Sequence, residues 1–399
     1  MRCIERTQYL DRLKRLRGTP DIKIITGVRR SGKSELLKSY LEYLKNDSKD
    51  VNIIYIDFSD YNYNNLKTCD ALHNYVESRY IQGAENILII DEVQLCKDFE
   101  IVINSFHNSK KYDIYITGSN AFLLSSDLAT LFTGRFIQIP IFPFSFAEYC
   151  KYFDIKDNYT SHLRDYVRYG GLSGSYVYED QQDRRGYILD LYTTLIKRDL
   201  IDKYNITQVE LLDTLVQFLM DNISNLTSVN NIKNAITNPT AETNHVTIGN
   251  YIKYLCNAFI FYKVKRYDIK GKKYLSTKDK YYLVDTSLRY SLLGERNMDY
   301  GRSYENIVAI ELLRRGYETY VGKLYQKKID FIAMKGTEKY YIQVAVSITD
   351  QNTLSRELEP LFSIRDAYPK IILANTNNPR YDIEGVKVID ISEWLLSTF

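Results

Sequence analysis

Eight residues constrain this chain more than any others. Gly27-Val28-Arg29-Arg30-Ser31-Gly32-Lys33-Ser34 satisfies G-x-x-x-x-G-K-[ST] at every fixed position. The apolar run 22–26 precedes it and the helical pattern 35–44 follows. A strand feeding a glycine-rich loop that opens a helix is the setting in which this spacing has a mechanism. The glycines let successive backbone N–H groups turn inward as an anion cradle, and the helix N-terminus adds its dipole. In such a loop Lys33 reaches the β- and γ-phosphates and Ser34 ligates Mg²⁺. The stretch therefore predicts a nucleoside-triphosphate site, with ATP and Mg²⁺ as cofactors.

A second segment supplies the acidic half of the site. Asn86-Ile87-Leu88-Ile89-Ile90-Asp91-Glu92 is an apolar run ending in two carboxylates, the pattern of a strand buried on both faces of a parallel sheet. Ligands of open α/β sheets bind beyond the carboxyl ends of the strands. Asp91 is thus placed to hold Mg²⁺, directly or through water, and Glu92 to polarise the attacking water. A third strand signal, 112–117, runs into Gly118-Ser119-Asn120, where Asn120 suits orientation of the water or contact with the γ-phosphate. Arg135 opens the last strand signal, 135–141. It is a candidate γ-phosphate sensor in its own subunit or across an interface, because the transferring phosphoryl group spreads charge over its oxygens; the competing reading is a surface ion-pair residue.

These segments occur with Leu131-Phe132-Thr133-Gly134-Arg135, Pro143-Phe144-Ser145-Phe146-Ala147-Glu148-Tyr149, Tyr169-Gly170-Gly171-Leu172-Ser173 and Leu195-Ile196-Lys197-Arg198-Asp199-Leu200. Together they resemble the bacterial and archaeal AAA-type P-loop ATPases, related to archaeal ATPases and STAND-type switches, whose C-terminal region is poorly characterised. The resemblance runs to nearly the end of the chain. It departs at Ser173, where relatives usually carry proline, a change of turn rather than of chemistry. It implies an AAA-type core with a helical lid after it.

Length and composition agree with several domains. At 399 residues the chain is long enough for two or three separate cores. No apolar stretch approaches the 18 or so residues of a membrane span, and the N-terminus lacks a signal-peptide pattern. Cys3, Cys69, Cys96, Cys150 and Cys256 are scattered without paired spacing. That argues for reduced thiols in a cytoplasm and against zinc or a disulfide framework. A net charge of +3 gives the whole molecule no nucleic-acid signature. Basic residues are nonetheless uneven: Lys263, Lys265, Arg266, Lys270, Lys272 and Lys273 fall within 263–273. The 37 tyrosines are explained better by biased coding than by base stacking.

The fold expected is α/β: a P-loop parallel sheet over 1–150, with strands near 22–26, 52–57, 87–91, 113–117 and 135–141. A helical lid over 151–206 follows. Helix patterns at 209–222, 229–236 and 246–259, then a β-ribbon over 260–267 and 281–285, predict a winged helix spanning 207–295. In that module the third helix, with Lys253, enters a groove while the basic ribbon touches phosphates; that helix offers few base-reading side chains, and protein docking is an equal alternative. Residues 300–399 resemble a restriction-endonuclease-like α/β domain, and the resemblance implies that Glu305, Asp330 and Gln343 occupy a degenerate metal site. The lysine of its Glu-x-Lys element is replaced by Ala345, with Lys323 or Lys328 as stand-ins. Three functions follow: an ATP-hydrolysing switch or motor with a DNA or protein partner, a nucleotide-gated scaffold with negligible turnover, and, least favoured, an ATP-dependent nuclease. An oligomer is compatible with each; a membrane partner is not expected.

Overall fold

A computed structural model of the chain describes residues 4–46, 51–118, 132, 134–236, 244–295, 299–376 and 378–397. It divides into two compact units, Cys3–Phe142 and Pro143–Phe399 together with the first two residues.

In the first unit five strands, β1 (Ile22–Thr26), β2 (Val51–Asp57), β3 (Glu85–Asp91), β4 (Asp113–Thr117) and β5 (Phe136–Pro140), form one parallel sheet ordered β2-β3-β4-β1-β5. Alternate side chains leave opposite faces of a strand, and both faces here are apolar. Ile22, Ile24, Leu88, Ile90, Ile114 and Ile116 join one core; Ile25, Ile87, Ile89, Tyr115 and Ile139 join the other. Helices α1 (Thr7–Leu16) and α2 (Lys33–Asn46) cover the second face, and α3 (Cys69–Glu77) and α4 (Phe99–Ser109) cover the first. The strand and helix order is the one expected over 1–150. Lys23 is fully buried in β1, with Nζ 2.5 Å from Asp113 Oδ1 and donating to Thr19 O at 2.6 Å.

The second unit opens with helices α5 (Phe146–Phe153), α6 (Tyr159–Tyr169) and α7 (Gln181–Ile196), the last running on into a π-helical turn, Lys197–Asp202. Two shared motifs of the sequence have structural work here. Ser145 and Glu148 form a reciprocal capping box at the start of α5, and Arg314 Nη1 donates to Pro143 O at 2.7 Å. At Gly170 and Gly171 a Cβ would run into Asp285 and into the backbone of Phe144, so the pair is required by close approach. Asp285 accepts from Gly171 N at 2.6 Å and from Ser287 N at 3.0 Å.

Helices α8 (Val209–Asp221), α9 (Val229–Ile236) and α10 (His245–Asn257) lead to a ribbon of β6 (Phe261–Asp268) and β7 (Lys273–Leu283). After α11 (Thr286–Leu293) and α12 (Tyr300–Arg314) come β8 (Glu318–Leu324), β9 (Lys327–Lys335), β10 (Glu338–Val344), α13 (Gln351–Phe362), β11 (Lys370–Ala374), β12 (Tyr381–Ile383), β13 (Val386–Asp390) and α14 (Ile391–Leu396). Strands β9 and β10 form an antiparallel hairpin whose turn spans 335–338, with Lys335 opposite Glu338. The ribbon differs from expectation. It does not stand free as a wing but pairs through β6 with β8, Arg266 opposite Val321, and so completes an eight-stranded mixed sheet ordered β12-β13-β11-β10-β9-β8-β6-β7. Segments 207–295 and 300–399 therefore share one sheet. Among the described residues no helix is long and apolar enough to cross a membrane.

Candidate functional site

The glycine-rich loop leaves the carboxyl edge of the sheet, where Thr26 is in register with Pro140. Gly27 has φ 152° and a Cβ there would collide with the carbonyl oxygen of Ile141; Gly32 has φ 97°. Both conformations belong to glycine. Arg30 takes the left-handed region at φ 66°, and Val28 packs inward, 1% exposed. Arg6 braces the loop by donating to Ser31 O at 2.8 Å and to Phe142 O at 2.9 Å. Lys33, on the first residue of α2, is buried and donates to the carbonyls of Gly27 (2.9 Å) and Val28 (3.2 Å). Ser31 Oγ is buried with no hydrogen-bond partner among the described residues. A cradle that a Cβ would fill and an orphaned buried hydroxyl suit a polyphosphate, which brings acceptor oxygens and no bulk against the backbone.

Asp91 ends β3 and is 1% exposed. Burial raises its carboxyl above the ordinary range, against hydrogen bonds from Ser34 and Thr117 that favour the charged form. A serine hydroxyl and a strand-end carboxylate in contact are a donor set that a hard divalent cation accepts, with water completing its shell. Glu92, the next residue, leaves the strand with φ 55° and ψ 46°. Its backbone N–H donates to Thr117 Oγ1 at 3.2 Å, and the same hydroxyl donates to Asp91 Oδ1. Gln94 Nε2 donates to Glu92 Oε2 at 2.5 Å.

Three of these groups escaped the sequence reading. Thr117 at the end of β4 bridges the two acidic residues, Gln94 fixes one oxygen of Glu92, and Asp57 at the end of β2 lies in register with Asp91. Strand-end position was the available signal for Asp57 and Thr117. For Gln94 it was the two-residue spacing from Glu92.

Asn120 lies outside the described residues. Arg135 is corrected in part. It immediately precedes β5, its carbonyl accepts from Ile22 N at 2.9 Å, and its Nη1 donates to Asn108 Oδ1 at 3.4 Å. Because β5 runs parallel to β1, Arg135 stands at the amino edge of the sheet, roughly 17 Å of strand from the phosphate loop. It cannot sense the γ-phosphate of its own subunit.

In the second unit Glu305 (α12) and Asp330 (β9) meet on Lys280, a cation that the sequence pattern does not point to. Lys280, on β7 and fully buried, is ion-paired to Glu305 and lies 3.4 Å from Asp330 Oδ1. Lys328 Nζ is 3.1 Å from Asp330 Oδ1. Tyr282 OH donates to Glu305 Oε1 at 2.7 Å, and Val344 N to Asp330 Oδ2 at 3.2 Å. Gln343 Oε1 accepts from Asp330 N at 2.7 Å while its Nε2 donates to Glu357 Oε2 at 2.9 Å. Burial pushes the Lys280 ammonium down and the Glu305 carboxyl up, and their mutual attraction opposes both. Burial likewise opposes the charge on Asp330, but Lys280 and Lys328 hold it below its ordinary value. Of the two expected stand-in lysines, Lys328 is at the cluster; Lys323 makes no ion pair with it among the described residues. Ala345 is part of the apolar core. Glu305, Lys328, Asp330 and Gln343 of the cluster line a pocket of about 480 Å³ together with Arg302, Lys327, Arg356 and Glu357.

The basic ribbon is uneven. Lys265, Lys270, Lys272 and Lys273 are exposed, as is Lys253 on α10. Lys263 is committed to Asp279 at 2.7 Å, and Arg266 is half-buried against β8.

The parallel sheet, phosphate loop and paired acidic residues give the first unit the α/β fold of P-loop ATPases and an ATPase-like nucleotide-binding site. A family model described as AAA domain matches residues 19–150, and one described as domain of unknown function (DUF8612) matches residues 160–299. The chain belongs to the same family as an uncharacterized protein of Haemophilus influenzae, 38% identical over 398 residues and covering 98% of each chain. An uncharacterized protein of Methanocaldococcus jannaschii is 27% identical over 394 residues, covering 93% of this chain and 85% of that one. Among solved structures, the Aeropyrum pernix ORC1 protein in complex with DNA aligns with a TM-score of 0.31 at 10% identity, over 74% of this chain and 93% of that one. A likeness that loose carries no functional argument.

Proposed function

We propose that the protein binds Mg·ATP at residues 27–34 and hydrolyses it, acting as a nucleotide-driven switch or motor. The observation that carries this reading is the Thr117 hydroxyl, which joins Asp91 and Glu92 in one hydrogen-bonded unit while Asp91 contacts Ser34 of the phosphate loop. Backbone N–H groups of the loop and the Lys33 ammonium hold the phosphates. Ser34 and Asp91 hold Mg²⁺, which when bound neutralises charge on the transferring phosphoryl group. Glu92 accepts a proton from the attacking water. Arg135 serves a neighbouring copy in an oligomer, its own site being out of reach.

The second unit is the output end. Segment 151–206 acts as the lid, and 207–295 as a winged-helix-like module whose ribbon is built into the sheet of 300–399, a reading supported by the three helices and an antiparallel bridge of Thr227 with Asp279. Residues 300–399 act as a restriction-endonuclease-like domain that binds a partner, with DNA as the candidate, rather than cutting it. The protein works in the cytoplasm.

Turnover and nucleotide binding measured on two variants test the ATPase reading. Lys33→Ala is expected to lose hydrolysis, and Glu92→Gln to keep ATP affinity while losing about 10²-fold or more in turnover. Parental turnover in Lys33→Ala overturns the site. Equal loss of affinity in Glu92→Gln and Asp91→Asn overturns the division of labour between the two acids.

A further inference from the structure

The pocket above Glu305 and Asp330 is built like a metal site and does not fit a metal. A hard divalent cation takes six or more oxygen ligands, several of them carboxylate, at about 2.0–2.6 Å. Here Glu305 comes from α12 and Asp330 from β9, two buried carboxylates aimed at one point. That point is taken: the Lys280 ammonium arrives from β7 and contacts both.

We infer that Lys280 is the resident cation of this pocket, standing where a divalent metal would otherwise bridge Glu305 and Asp330, and that the pocket is metal-free by construction. Charge balance supports it. Two carboxylates face two ammonium groups, those of Lys280 and Lys328, so the floor is neutral with no ion added. Ligand count supports it as well. Gln343, the third ligand expected from the strand pattern, is engaged at both ends, its oxygen on Asp330 N and its nitrogen on Glu357. Asp330 Oδ2 accepts from Val344 N, and Tyr282 OH occupies Glu305 Oε1. Among the described residues no group of three or more Asp, Glu, His or Cys side chains is arranged to hold a metal. Removing a buried partner leaves an uncompensated charge, so Lys280 has a defined chemical signature: without it, Glu305 and Asp330 face Lys328 alone and one negative charge is left uncompensated.

The test is Mn²⁺ titration, read by electron paramagnetic resonance, on the full chain without nucleotide. The parent and Asp330→Asn are expected to bind Mn²⁺ identically. Lys280→Met is expected to gain a Mn²⁺ site tighter by about tenfold or more than any in the parent. It should lose that site when combined with Asp330→Asn, and its melting temperature should rise with Mn²⁺ where the parent's does not. A folded Lys280→Met protein that gains no site overturns the inference. If Lys280→Met does not fold, the parent decides alone: a Mn²⁺ site that disappears in Asp330→Asn overturns the inference, and equal binding upholds it.

Discussion

Gln94 holds Glu92 by a 2.5 Å hydrogen bond from its Nε2 to Oε2. The bond spans two residues of one tight turn, and Glu92 sits in it with a left-handed backbone that non-glycine residues adopt at a cost. Strain of this kind persists where the surroundings over-determine a conformation. Here those surroundings are Gln94 on the carboxylate and Thr117 on the N–H.

Gln94 is accordingly a positioning residue: it fixes Oε2 and leaves Oε1 for water. A hydrogen bond to a charged group is worth about 1.5–3 kcal/mol, so Gln94→Ala should lower kcat roughly tenfold or more with KM little changed. A rise in basal turnover would instead make Gln94 a latch that restrains the base.

Asp285 makes the stability of the second unit depend on pH. Burial pushes its carboxyl up to about 6, despite hydrogen bonds from Ser287 and Gly171. Below the ordinary carboxylate pKa the folded and unfolded chains are both protonated there and no penalty arises. Between that value and about 6 the unfolded chain gives up its proton while the folded chain keeps it, so the contribution to stability falls across this window, and above about 6, where both states are ionised, the loss is complete. A shift of this size corresponds to about 3 kcal/mol. Urea midpoints compared at about pH 4, 5 and 7 should show a downward component in the parent that Asp285→Asn lacks. Identical slopes in the two proteins would remove Asp285 from the account.

If the ribbon contacts DNA phosphates, its contribution comes from Lys265, Lys270, Lys272 and Lys273 and not from Lys263, which Asp279 already neutralises. Each released counterion contributes about 0.9 to the slope of log affinity against log salt on duplex DNA. Neutralising Lys270, Lys272 and Lys273 should flatten that slope by about 2 to 3, while Lys263→Gln should leave it nearly unchanged. No binding to any DNA, or a slope indifferent to these changes, would favour a protein partner.

The first unit was legible because its information is local. A fixed loop spacing, an apolar run ending in Asp91-Glu92, and strand signals in the right order specify the sheet without knowledge of distant contacts. Thr117 and Lys280 were not legible for the opposite reason. Thr117 meets Asp91 only because β3 and β4 pair in parallel register, and Lys280 meets Glu305 and Asp330 only through tertiary packing of α12 against β7 and β9. The first half of β7 reads Lys273-Tyr274-Leu275-Ser276, too polar to declare itself a strand, and it forms by pairing with β6. Arg135 is placed by topology alone: a residue entering a parallel strand lies opposite the edge where the loop after β1 emerges.

The pairing of β6 with β8 has a consequence for how such a chain is inherited and dissected. Arg266, Tyr267 and Asp268 donate one side of a ladder whose other side, Val321, Gly322 and Lys323, lies beyond the 296–300 boundary that the sequence suggests. Cleaving the gene there would leave a raw β8 edge, an invitation to edge-to-edge aggregation. It would also separate Lys280 from the two acids it neutralises. The ribbon and the strands after it are thus one heritable block. Recombination can exchange the block whole, but a crossover inside it would yield two insoluble halves.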